Sequence, residues 1–151
     1  MELYRLAKKK YSHSLSGVGA AIRGARWNSR GTEIVYTATN RSLAMAEVAV
    51  HFSLGNIPEG YQMLTIYLPD EIPVYQLSDT ELPSDWQSFP QLRSTQFIGD
   101  EFVRAGTYLA MKVPSAVTKG DFNILLNSHH PSFADVRILN VEPFVFDRRL
   151  F

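Results

Sequence analysis

The strand candidates in this chain are short, and helices do not separate them at regular intervals. Runs at Leu3 to Leu6, Glu33 to Ala38, Gln62 to Leu68, Ile72 to Leu77, Tyr108 to Val113, Phe122 to Leu126, Val136 to Val141 and Phe144 to Phe146 have strand character, and all are short. Two segments have clear helix character. Asn40 is an N-cap for a helix expected to run to Gly55, and Ser94 or Thr95 would cap a second one reaching Gly106. A doubly wound parallel sheet needs a helix at nearly every crossover, so the pattern favours α+β over it. The pattern predicts an α+β fold, with a mixed, mostly antiparallel sheet and two or three helices. No repeat or linker interrupts the 151 residues, and 45% hydrophobic with 12% aromatic residues supply one core, so residues 1–151 are expected to form a single compact domain. The glycine-rich stretch from Ser12 to Gly31 is expected to be long and irregular.

Charge and cysteine content narrow the function classes. Fifteen Lys and Arg balance fifteen Asp and Glu, so no overall field draws the chain to nucleic acid or to an anionic membrane. An anionic ligand must therefore be held by a few local groups. The absence of cysteine excludes disulfides, a thiolate nucleophile and Cys-based metal sites. Lys8-Lys9-Lys10 follows a short apolar run where a signal peptide would have charge first, and no apolar stretch is long enough to span a bilayer, so a cytoplasmic protein is expected. His129 and His130 are adjacent and point apart, and no spaced ligand set exists, so no metal is expected.

Two features are suited to chemistry. In Gly24-Ala25-Arg26-Trp27-Asn28-Ser29-Arg30-Gly31, glycines that let backbone approach a ligand bracket guanidinium forks suited to phosphate. The same residues would also serve as a surface turn anchored to the core by Trp27. The second is Glu47, a lone carboxylate on the helix Arg41 to Leu54, which is apolar nearly all round. Such a carboxylate needs a cation or donors, with Arg26 or Arg23 the candidate cations, unless that edge of the helix faces water. His51 sits one turn on. Tyr36 lies on the strand between these features, and Ser115 follows a strand directly after Pro114. Asp100 and Glu101 are neighbours on a helix and diverge by about 100°, so they do not form a carboxylate pair around one bond.

In order along the chain, Gly24-Ala25-Arg26-Trp27-Asn28, Val35-Tyr36-Thr37-Ala38, Ser42-Leu43-Ala44-Met45-Ala46-Glu47, Val113-Pro114-Ser115-Ala116 and Asn123 to Asn127 followed by a His-Pro resemble the RES-domain family, named for an arginine, a glutamate and a serine. The resemblance runs from Tyr4 to Leu150. It implies an ADP-ribosyltransferase-like fold and a toxin of a bacterial toxin–antitoxin pair that consumes NAD. Its partner would be an Xre-type helix-turn-helix antitoxin, bound in a hetero-oligomer. The family's arginine falls on Arg26, its tyrosine on Tyr36, its glutamate on Glu47 and its serine on Ser115, with Ser128 as the rival. In this reading Arg26, with Trp27 and Asn28 beside it, holds the pyrophosphate and Tyr36 packs on the nicotinamide. Glu47 steadies the ribosyl cation, and Ser115 hydrogen-bonds the ligand. The alternatives are a transferase that modifies one specific protein and, in a different class, a non-catalytic interaction module.

Overall fold

The computed structural model describes all 151 residues. Seven strands form one sheet: β1 (Glu2–Lys8), β2 (Val35–Ala38), β3 (Tyr61–Tyr67), β4 (Val74–Gln76), β5 (Ala110–Pro114), β6 (Phe122–Leu126) and β7 (Arg137–Phe144). Their order is β4-β5-β6-β2-β1-β3-β7. Every pair is antiparallel except β4 with β5. The helices are α1 (Val18–Arg23), α2 (Arg41–Ala49) and α3 (Arg93–Ala105), and α3 lies on the crossover that makes β4 and β5 parallel. The α+β class and mostly antiparallel sheet are as the strand spacing predicts. The two last strand candidates are one strand, β7, whose register against β3 shifts at Thr65 and Ile66.

Side chains alternate across the sheet, which gives each strand two jobs. Leu3, Val35, Leu64, Ile66, Ile124 and Leu126 point to one face and pack with Leu109 and Val136. On the other face, Met111, Val113 and Leu125 meet Phe102 of α3, while Leu6, Ala38 and Met63 meet Leu43 and Ala44 of α2. The two helices thus cover different halves of the same face. They leave a gap between them over β2.

The sheet is also split at this gap. β1 and β2 share a single paired position, Tyr4 with Ala38, whereas β1 pairs with β3 along its whole length and β2 with β6 along all four residues. On the Tyr36 side of that pair the two strands part, so the inner edge of β2 loses its backbone partners in the middle of the sheet.

Two helix boundaries differ from expectation. Asn40 caps α2 as predicted, its Oδ1 accepting from the Leu43 N–H at 2.8 Å. The helix stops at Ala49, however, and not near Gly55. The sheet face has run out there: Val50 is 58% and Leu54 86% exposed, and a helix this short persists only where it packs. α3 starts at Arg93 with Leu92 in the cap position and no side-chain cap. Thr95 lies inside the first turn and donates back to the Leu92 carbonyl, and the Ser94 hydroxyl is buried without a partner, so neither caps the helix.

Gly99 of α3 lies against the loop before β2. A Cβ there would sit 1.5 Å from the Trp27 carbonyl oxygen, so the helix can approach only as glycine. Gly99→Ala is expected to lower stability by about 3 kcal/mol by forcing backbone apart. Thermal melting should show a fall of about 10 °C.

Candidate active site

The segment from Gly24 to Gly31 turns sharply at both ends, where the two glycines take φ of 70° and 96°. Between them the chain is locked from three sides. Asn28 is fully buried, and its amide donates to the carbonyls of Ala20, Ser29 and Thr32 at 2.9 to 3.1 Å. Its Oδ1 accepts from the Tyr36 hydroxyl at 2.6 Å, and that hydroxyl accepts in turn from the Trp27 N–H at 3.1 Å. From α3, Gln96 donates to the Ala25 carbonyl, and Asp100 accepts from both the Ser29 N–H and its hydroxyl. Glu101 turns away to pair with Arg104, so the adjacent carboxylates do diverge.

This network assigns Trp27 and Asn28 differently from the ligand-binding role expected of them. The Trp27 indole is 3% exposed, packs in the core beside Ile34 and Leu77, and stacks on Trp86 with ring centroids 6.3 Å apart. Asn28 has no polar atom left for a ligand. Asn28 is an anchor of the loop and does not line the cleft, whereas Trp27 anchors the loop, the role already open to it in the sequence, and also lines the cleft.

Between α2 and the segment formed by α1 and the arginine loop, over β1 and β2, lies a cleft of about 930 Å³, within the range of small-molecule sites. Arg26, Tyr36 and Glu47 all line it. Glu47 is half-buried on α2 and faces the cleft, so the helix edge is neither core nor open surface. It makes no ion pair with Arg26 or Arg23. Its Oε1 accepts from the Ser115 hydroxyl at 2.9 Å.

Ser115 is 2% exposed, behind Glu47, and its oxygen accepts from the N–H groups of Val117 and Thr118 at 3.0 and 3.1 Å. With one donor and two acceptor positions used, the hydroxyl has nothing to offer a ligand, which corrects the expectation that it would bind one. It orients the carboxylate. Ser128 lies beyond the opposite end of β6 from the cleft residue Asn123 and does not line the cleft.

Arg26 is tied on one side. Its Nη1 donates to the carbonyls of Trp86 and Ser88 at 2.6 and 2.9 Å, fixing the segment that leads into α3. Burial lowers its pKa from the usual arginine value, against the opposing pull of Glu47 and Tyr36. The Tyr36 hydroxyl is raised well above its ordinary range, chiefly by burial, and so stays protonated as its bond to Asn28 requires.

Arg5 also lines the cleft and was not singled out in the sequence. Where β1 leaves β2, the Tyr36 carbonyl is left without a strand partner and accepts from Arg5 Nη1 at 2.8 Å. Burial lowers the Arg5 pKa, and no carboxylate pairs with it. The signal in the sequence is parity: Arg5 sits between Leu3 and Ala7, which are both buried. With Arg23, three arginines face the cleft against one carboxylate. A second hollow of about 380 Å³, lined by Tyr75, Phe102, Tyr108 and Met111, has two glutamates and no cation.

A split sheet, a clamped arginine loop and a carboxylate held by a serine define the class of protein. A model of the RES domain matches residues 2–147, and the chain belongs to the RES-domain family. It is 34% identical to "Toxin Res" of Yersinia enterocolitica, with 99% of each chain covered. It is 32% identical to the "Prs ADP-ribosylating toxin" of Sphingobium sp. over 95% of this chain and 91% of that one. The fold is shared with a chain of the Mycobacterium tuberculosis MbcT–MbcA toxin–antitoxin complex, at a TM-score of 0.76 and 20% identity over 95% of this chain and 84% of the other. No helix is long and apolar enough to cross a membrane.

Tyr36→Phe removes the hydroxyl between Trp27 and Asn28, leaving a buried N–H and a buried amide oxygen unpaired. A loss of about 2 kcal/mol is expected in urea unfolding.

Proposed function

We propose that this chain is the toxin of a bacterial toxin–antitoxin pair and that it consumes NAD in the cytoplasm by breaking the bond between nicotinamide and ribose. The observation that carries this reading is the Glu47 carboxylate, oriented by Ser115 at 2.9 Å, in a cleft that otherwise presents three arginines. NAD has two negative charges at its pyrophosphate, which suit Arg5, Arg23 and the free side of Arg26. At its other end the pyridinium leaves with the bonding electron pair as neutral nicotinamide, and positive charge develops on the ribose as in glycoside hydrolysis. A fixed carboxylate beside that sugar accepts a hydrogen bond from a ribose hydroxyl and steadies the charge. The Tyr36 ring, with its hydroxyl tied back, offers its face to the nicotinamide.

Water or phosphate then adds to the ribose carbon, which depletes NAD and stops growth. A second reading, in which one specific protein accepts the ADP-ribosyl group, is favoured by the Sphingobium relative named for ADP-ribosylating Prs. Mass spectrometry of cells expressing the chain separates the two: collapse of the NAD pool marks the first, one labelled protein with little depletion the second. The partner we infer is an Xre-type helix-turn-helix antitoxin, a reading supported by the fold shared with a toxin crystallised with its antitoxin.

Purified protein should release nicotinamide from NAD; silence with phosphate and candidate protein acceptors supplied would overturn the reading. Glu47→Gln keeps the acceptor for Ser115 and removes the charge. It should lower release at least about 100-fold with an unchanged melting temperature. Ser115→Ala frees the carboxylate and should cost about tenfold in kcat, corresponding to one hydrogen bond to a charged group.

A further inference from the structure

The segment between β4 and α3 carries an aromatic residue that the core does not use. Phe89 is 80% exposed and yet lines the cleft. Gln87 and Gln91, two residues to either side, line it as well, and neither side-chain amide has a partner within the protein. The segment is held firmly in place: Arg26 grips the carbonyls of Trp86 and Ser88, and Trp86 stacks on the buried Trp27. An exposed phenyl ring on a pinned strap, flanked by two free amides, is a surface suited to a flat group with a hydrogen-bonding edge. A purine has both, a π-face that any aromatic ring can stack on and adjacent donor and acceptor atoms that a carboxamide matches.

Position along the cleft selects which part of the ligand lies there. Arg26 stands between the strap, which it bonds, and Glu47, whose charge it feels. The order Glu47, Arg26, strap follows the order ribose, pyrophosphate, adenine along the dinucleotide. We propose that Phe89, with Gln87 and Gln91 beside it, is the adenine subsite of the cleft. Arg26 is then also a positioning residue, because it fixes the strap while its other nitrogens face the pyrophosphate. This inference rests on the NAD reading above.

Inhibition of nicotinamide release from NAD by two half-ligands tests it. In Phe89→Ala, the inhibition constant of adenosine monophosphate and the KM for NAD should each rise about tenfold, a loss in the range of one base stacked on an aromatic ring. The inhibition constant of nicotinamide mononucleotide and kcat should not move, and Phe89→Trp should restore adenosine monophosphate inhibition. Unchanged adenosine monophosphate inhibition, or an equal loss for both half-ligands, would overturn the subsite while the NAD reading stands. A variant that weakens only antitoxin binding would assign the ring to the partner instead. Wild-type protein that releases no nicotinamide overturns both.

Discussion

The separation of β1 from β2 after one shared position is the constraint on which the rest depends. A sheet paired throughout would satisfy its central edge with backbone hydrogen bonds. Here Tyr4 meets Ala38 and the strands then diverge, leaving polar backbone in the middle of the domain. Such groups need partners. The Tyr36 carbonyl finds one in Arg5, whose long side chain reaches through the split from a position between buried apolar neighbours. The opening that a ligand would use and the cation that would meet its charge therefore have one cause.

The second wall of the cleft is built by a loop that could not hold its shape alone. Six residues lie between two positive-φ glycines, and only Trp27 among them packs into the core. Their rigidity comes from Asn28, which satisfies three carbonyls at once, and from the facing side of α3, where Gln96, Gly99 and Asp100 recur at helical spacing. Gly99 sets the distance and Asp100 the register. Since Asn28 also receives the Tyr36 hydroxyl, the loop and β2 move as one body, and both cleft residues are referred to the same frame.

Much of this was legible in the sequence, because it rests on local rules. Short strands without regular helices gave the class, Asn40 marked the start of α2, and the glycines bracketed the arginine loop. What could not be read were the facts set by distant packing. The end of α2 depends on where the sheet face ends, so its apolar tail suggested a longer helix. The Ser115 hydroxyl was expected on the ligand because the N–H groups of Val117 and Thr118, which donate to its oxygen, are brought there by a turn no pattern announces. Asn28 was drawn toward the ligand by its neighbour Arg26, although its side chain points into the protein. Arg5 was missed because a single charged residue in a strand reads as the solvent side, unless its parity with Leu3 and Ala7 is weighed.

The arrangement of Arg26 and Glu47 keeps the two charges from pairing with each other. A free guanidinium beside a half-buried carboxylate would close into an ion pair, each cancelling the other's charge and each costly to separate again. Two carbonyls on the 86–88 segment hold Arg26 to its own wall, and the Ser115 hydroxyl holds Glu47 to the other. A carboxylate accepts about four hydrogen bonds, and Ser115 fills one, so the remaining acceptor positions on Glu47 are left for the cleft. Opposite charges kept apart in this way match a molecule that carries a developing cation at one point and fixed anions a short distance away. That match is a property of two neutral tethers, a serine and a pair of carbonyls, as much as of the charged groups themselves.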